Sequence, residues 1–354
     1  PSIQVVPPGS DSIANSCIAM ATHPPHAGTG SGSGSGDRGV TRGDASARNF
    51  LKACVMSGVR WDGRSKGEYR PLGVQVKHQH GLGCGSYQDE YATSGSARVA
   101  LGGTAVLAAV SLEICAPDKL RPASGIVKVS VDCSMRSGGD VGGSSSNGEK
   151  GKRGSEKFGE DLARHIEMIY LGSNGSSKGC LDLENNLSLV EGHSVWMICV
   201  DCIVLDDDGN LLDALSIAVR EAIRDTKMPN FEVIEANEAG SSGAGDIQLT
   251  DDPNAYWRLK CGQVPILVTL LPIDAEWIVD ATSEEEAGAN GSCVSFGVNA
   301  RGAVTASVMH GQSISALEYR SFDQLVEAAC IAGRKVLASL DALEKEEDFY
   351  HLCN

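Results

Sequence analysis

Residues 194–223 read SVWMICVDCIVLDDDGNLLDALSIAVREAI. The run from Ser194 to Leu205 is apolar enough to predict a buried strand. An acidic turn ends it, and Leu215, Ala218, Val219, Ala222 and Ile223 then recur at helical spacing on one face. A strand feeding directly into an amphipathic helix demands a sheet with helices packed against it. A glycine turn at the mouth of a helix is also where a phosphate can be cradled by backbone N–H groups. Calcium is excluded by spacing. With Gly209 at position 6 of a calcium loop, positions 1 and 12 fall on Val204 and Leu215, which carry no side-chain oxygen.

The same reasoning places the other elements. Residues 1–43 are rich in Pro, Gly and Ser and are expected to be a disordered tail. From Asp44, a candidate N-cap, a helix is predicted with Ala47, Phe50, Leu51, Cys54 and Val55 on one face and Gly58 at its end. Strands are predicted at 72–76, 96–101, 104–114 and 126–131, with a hairpin at Gly102-Gly103. The insertion 137–157 is read as a loop. A helix follows, with Phe158, Leu162, Ile166 and Ile169 inward and Gly172 as its stop. Residues 236–246 read as a surface loop. Strands are then predicted at 264–271, 276–280, 293–298 and 303–308. A last helix opens on a capping box at Ser321 and Gln324 and runs to about Leu343. Strands then helices, twice over, make an α+β protein of two lobes, 44–235 and 263–345, joined by a linker at 236–262 and trailing a tail at 346–354.

The chain has 354 residues and a net charge of −16. Asp11, Asp37 and Asp44 balance Arg38, Arg42 and Arg48 in the first 50 residues, so the acidity belongs to the folded part. That argues against broad nucleic-acid binding by the isolated chain and leaves room for a local basic groove. No run of about 18 apolar residues suggests a membrane span. The twelve cysteines mostly sit in apolar runs and no secretory signal is visible, which points to a reducing compartment without a disulfide framework.

Several candidate chemistries can be weighed on spacing. Cys199-x-x-Cys202 lacks a second pair for zinc, and on a strand its two thiols face opposite sides. His78 and His80 share a strand face but have no third ligand nearby. Ser176-Ser-Lys-Gly179 lacks the glycine spacing of a phosphate-binding P-loop. Asp280 with Glu284, Glu285 and Glu286 is either a site for Mg²⁺ or acid–base work, or an exposed acidic turn. Lys150, Lys152, Arg153 and Lys157 flank the helix carrying Arg164; they either follow a single-stranded backbone or serve solubility.

Arg60-Trp-Asp-Gly-Arg64 with Glu68-Tyr-Arg-Pro71, Gly95-Ser-Ala-Arg-Val99, Gly102-x-Thr104-x-Val106 and Gly125-Ile-Val-Lys-Val-Ser-Val-Asp132 together resemble RNase PH-like proteins. The stretches VPILVTL (264–270) and IVDATSEEEA (278–287) continue the match to about Lys345. The resemblance implies two βαβ-type lobes, the first of the ribosomal protein S5 domain 2-like kind. It also implies, for active members, phosphate-driven 3′-to-5′ shortening of RNA. Active members carry a Gly-Thr-Arg element in the loop after the central strand. Here that loop is Asp208, Gly209, Asn210, Leu211, Leu212 and Asp213. A carboxylate stands where phosphate would sit and the arginine fork is gone, so the loop is expected not to bind phosphate.

Asp280 and Glu286 match the acidic pair of active members. With half of the apparatus lost, the pair reads as a relic or a structural feature, because such groups act as a unit. The loss pattern is similar to that of the non-catalytic ring subunits of the eukaryotic RNA exosome. It implies no cofactor and no metal. The implied partners are other RNase PH-like chains in a six-membered ring, S1/KH-type cap subunits, and RNA threaded through the pore, with no membrane. Nucleus, nucleolus and cytoplasm are the expected locations. Arg164 matches one RNA-gripping position; Met168, a turn on, departs from the next. Lys152 and Arg153 are further RNA candidates. The alternatives are an active phosphorolytic exoribonuclease and a stand-alone RNA-binding module.

Overall fold

A computed structural model describes residues 45–76, 94–134, 148–170, 180–181, 183–234, 246–250, 252, 255–274, 276–288, 293–310 and 319–353. Its first sheet contains β1 (Leu72–Val76), β2 (Gly95–Leu101), β3 (Thr104–Cys115), β4 (Ile126–Asp132), β5 (Ser188–Val190) and β6 (Ser194–Asp206), in spatial order β1-β2-β3-β6-β4 with β5 on β6. Only β4 runs parallel to its neighbour, β6. The expected hairpin joins β2 to β3 through Gly102, whose φ of +57° suits a residue without a side chain. The second sheet is antiparallel, ordered β12 (Glu276–Val279), β11 (Ile266–Ile273), β13 (Cys293–Val298) and β14 (Val304–His310).

Between the sheets lies the helix predicted after the acidic turn, Leu211–Asp225. Numbered in chain order, it follows α1 (Ala45–Met56), α2 (Gly148–Tyr170) and the short α3 (Leu183–Leu187), and is α4. Every residue of α4 is buried, not only the predicted stripe. A helix with sheets on both sides has no solvent face, so its polar residues must find partners inside. One continuous core therefore includes Val106 and Ile198 of the first sheet and Val268 and Phe296 of the second. The two expected lobes share this core through α4. Last come α5 (Ser283–Gly288) and α6 (Tyr319–Cys353). α6 lies against the second sheet at Gly333, where a Cβ would stand 2.9 Å from Val298.

Several expectations need correction. The insertion at 137–157 is not a loop throughout, because α2 begins at Gly148. Helix, once anchored by buried Leu162, Ile166 and Ile169, propagates cheaply back through Glu and Lys. Residues 137–147 lie outside the described residues, as do His78, His80, Gly172 and Asp44. Phe158 is 36% exposed, because α2 is rotated to bring Gly159 onto β4, where a Cβ would meet the Val131 carbonyl oxygen at 2.2 Å. Phe50 is likewise exposed, since α1 seats Leu51 and Val55 against Ile278 and Ala281.

Within the expected linker, β9 (Asp246–Leu249) and β10 (Tyr256–Arg258) pair back onto β8 (Phe231–Ile234) and β7 (Lys227–Pro229). α6 is described from Tyr319, so Ser321 lies within the helix rather than before it. The nine cysteines whose side chains are described are free thiols, with Cys202 buried in the core and Cys199 half-buried on the other face of β6. Among the described residues, no helix is long and apolar enough to cross a membrane.

Candidate functional site

At the end of β6 the chain reverses over Asp207–Asn210 and enters α4. Gly209 and Asn210 both take positive φ, +84° and +53°. Gly209 is pressed onto the backbone after β12, where a Cβ would lie 2.5 Å from the Ser283 nitrogen and the Thr282 carbonyl carbon. Only glycine allows that approach. Ser283 N donates to the Asp208 carbonyl oxygen at 3.1 Å. Ser283 Oγ donates to Asp208 Oδ1 at 3.0 Å, and Asn210 N donates to Glu286 Oε1 at 2.8 Å. A carboxylate of the protein itself thus sits at the positive end of α4, where an anion is favoured.

Three arginines from the segment before β1 close the site from the other side. Arg70 forks onto Asp280, Nε to Oδ2 at 3.0 Å and Nη2 to Oδ1 at 2.8 Å. It also donates to the carbonyls of Asp208 at 2.7 Å and Gly209 at 3.0 Å. Arg64 Nη1 reaches Asp280 Oδ2 at 3.0 Å, and its Nε pairs with Asp62 at 2.7 Å. Arg60 makes a bidentate pair with Glu285 and donates to the carbonyls of Val279 and Asp280. Such forks are the strongest hydrogen bonds available to a carboxylate. Burial pulls the Arg70 guanidinium down, but Asp280, Asp208 and Glu286 outweigh it and hold the group above its ordinary value.

Asp280 is fully buried and adopts φ +50°. Asn210 Nδ2 donates to its Oδ1 at 2.8 Å, so two left-handed residues meet at the centre of the site. Glu285 is 2% exposed. Asp280 and Glu285 are therefore buried while Glu284 is exposed and Glu286 half-buried, and Asp280 is neutralised by arginine rather than free for a metal. Among the described residues, no three His, Cys, Asp or Glu side chains converge as metal ligands.

Asp213, on the first turn of α4, is fully buried as well. It accepts from Tyr69 Oη at 2.7 Å, Asn210 Nδ2 at 3.0 Å, Thr269 N at 3.0 Å and Thr269 Oγ1 at 2.6 Å. Burial pushes its pKa up to about 6 even though these four donors favour the carboxylate. Burial and Asp213 together push the Tyr69 hydroxyl well above its usual value. Leu211 and Leu212 are 6% exposed and pack into the core.

The fold thus gathers Asp208, Gly209, Asn210, Asp213, Asp280 and Glu286 into one site. It leaves Arg164 elsewhere, on the exposed face of α2, paired with Asp161 at 3.1 Å. Met168, one turn on, is 40% exposed. Lys152 and Arg153 lie in the first turns of α2, and their side chains are outside the described residues. The sequence reading gave no site role to Arg60, Arg64, Arg70 or Tyr69, and named Glu285 only as one of an acidic cluster. Three arginines within eleven residues, in a chain with an acidic string 210 residues later, were the available signal.

Residues 72–229, β1 through β7, match the model of the 3′ exoribonuclease (RNase PH) family, domain 1. The chain is 32% identical over 239 residues to exosome complex component Rrp42 of Thermococcus gammatolerans, covering 68% of this chain and 74% of that protein. The chain belongs to the RNase PH-like 3′ exoribonuclease family. It is also 27% identical over 338 residues to a protein described as a putative exosome complex exonuclease RRP42 from Dictyostelium discoideum, covering 84% of this chain and 96% of that one. Two solved structures share the fold. One is an archaeal exosome core, with TM-score 0.59 at 23% identity, covering 83% of this chain and 96% of that one. The other is an Archaeoglobus fulgidus exosome with RNA bound to the active site, with TM-score 0.58 at 22% identity, covering 83% and 97%. The family match covers the acidic turn and α4, while Arg60, Arg64, Arg70, Asp280, Glu285 and Glu286 lie outside it.

Proposed function

We propose that this chain is a non-catalytic subunit of an RNA exosome ring, part of the wall of a pore through which RNA passes to a separate nuclease. Its relatives are named as exosome components, which supports the ring assignment. One observation carries the non-catalytic reading: the Glu286 carboxylate occupies the N–H at the mouth of α4 while Arg70 is committed to Asp280. An incoming phosphate would meet Asp208, Asp213 and Glu286, with Arg60, Arg64 and Arg70 each already ion-paired to a carboxylate, a repulsive environment for a dianion. The partners are other RNase PH-like chains, S1/KH-type caps and RNA in the assembled pore, with Arg164 as a candidate RNA contact. The 280–287 string favours exosome component seven among the ring subunits; nucleus, nucleolus and cytoplasm follow from the exosome reading as its proposed locations.

The test is incubation of the purified chain, alone and within its ring, with RNA in phosphate buffer. No nucleoside diphosphate is expected, and its release would overturn the reading. A sulfate soak is expected to leave Asn210–Ala214 without anion density. Mass measurement of the intact co-purified assembly checks the subunit assignment, and cell fractionation checks the locations.

A further inference from the structure

Three cations gather where the second sheet meets α6. The β13–β14 reversal is tight: Gly302 N donates to the Asn299 carbonyl at 2.8 Å, and Asn299 N to that of Ala303 at 3.1 Å. Asn299 Oδ1 accepts from Arg301 N at 3.1 Å and Ala303 N at 2.9 Å. This turn fixes the backbone of exposed Arg301. Gly302, at φ +77°, is where Arg334 of α6 lies down; a Cβ there would stand 2.9 Å from Arg334 Cδ. Arg334 Nε donates to the Cys330 carbonyl at 3.2 Å, which orients the guanidinium. Its two Nη groups have no partner among the described residues. Lys335, also exposed, is the next residue.

Among the described residues, none of the three cations is paired with a carboxylate. On α6 the flanking acids are distant. Glu327 is seven residues before Arg334, roughly 10 Å along a helix. Asp341, as far on the other side, is engaged by Arg220 at 3.3 Å. In a chain of net charge −16 this is a local positive field, felt over about a Debye length of 8 Å.

The geometry points to a phosphate-binding patch. We propose that Arg301, Arg334 and Lys335 hold the phosphodiester backbone of single-stranded RNA outside the α4 site. An oriented guanidinium with two free Nη groups matches a pair of phosphate oxygens, and Lys335 adds a point charge. Contacts of this kind position a strand without reading its bases. The choice of RNA over another polyanion rests on the exosome reading above.

The experiment is fluorescence anisotropy of labelled oligouridylate with the full chain between 50 and 200 mM salt. It compares wild type with the Arg301→Ala/Arg334→Ala/Lys335→Ala variant, and adds cross-linking from 4-thiouridine mapped by mass spectrometry. Each phosphate contact on a single strand contributes about 0.7 to the slope of log K against log salt. The variant is therefore expected to be shallower by about 2 and to lose cross-links at the hairpin tip. Equal slopes, or no binding by wild type, overturn the proposal. So does occupation of the patch by polyglutamate but not by RNA, since that assigns it to an acidic protein. Arg334→Glu alone is the second variant, expected to cut binding more than Arg334→Ala. Ring entry is scored separately by co-purification. A variant that enters the ring with an unchanged slope removes the patch and leaves the ring reading. A wild type that enters no ring removes that reading instead.

Discussion

Arg70 and Arg334 are placed alike and used differently. Each lays its stem on the positive-φ glycine of a hairpin, Gly102 for Arg70 and Gly302 for Arg334, one in each sheet. Around Arg70 the second sheet brings Asp280, fully buried, and the acidic turn brings its carbonyls. Around Arg334 there is solvent. The same side chain is therefore committed to the structure in one place and available in the other. What separates them is whether a second sheet and a shared helix close over the guanidinium.

The sharpest way to break this comparison is to remove the buried arginine. Arg70→Ala leaves Asp280 buried without its fork, and such an uncompensated charge costs about 3–5 kcal/mol. Urea denaturation is expected to show that loss; a cost below 1 kcal/mol would mean that Arg64 and Asn210 suffice. Arg334→Ala, by contrast, is expected to stay within about 0.5 kcal/mol of wild type in the same assay.

Next in size is a pH effect at Asp213. Its pKa is about 6 in the folded chain against an ordinary 3.8. A raised folded value means the stabilising contribution is present below the unfolded pKa and is lost as pH rises through the folded one. Relative to Asp213→Asn, wild type should therefore lose about 3 kcal/mol between pH 3.8 and 7. Denaturation of both proteins across that range measures it, and parallel profiles would refute it.

Glu286→Gln removes the charge at the mouth of α4 and keeps its shape, so a loss of about 1 kcal/mol is expected by thermal unfolding. The smallest stability effect belongs to Arg164→Glu, which trades an exposed pair with Asp161 for a repulsion worth under about 0.5 kcal/mol. Its proposed consequence is functional. In the assembled ring, threading of long RNA should weaken while assembly is intact. Failure to assemble would make Arg164 an interface residue.

Most of the frame was legible in the sequence, because alternation and helical spacing report which face is apolar. Ser194–Leu205, the Gly102 hairpin and the strands of the second sheet are such local patterns, and each is present. Phe50 and Phe158 were misplaced, because the face a helix turns inward is set by close approaches at Gly288 and Gly159 that periodicity does not contain. In the site, Asp208 to Asp213, Asp280 and Glu286 could be named from the family resemblance. Their relation to Arg60, Arg64 and Arg70 could not, because each bond from those arginines to Asp280 or Glu285 spans at least 210 residues.

The sequence by itself determined a strand, a glycine turn and a helix, with Leu211, Leu212 and Asp213 at the helix mouth. Side-chain chemistry and spacing suffice for that. Only the tertiary structure decided what fills the turn. Two sheets close on α4 and bury Asn210 and Asp213 at its polar end. The buried N–H and the three arginines must then be satisfied from within, and Glu286, Glu285 and Asp280 are the carboxylates that the second sheet delivers.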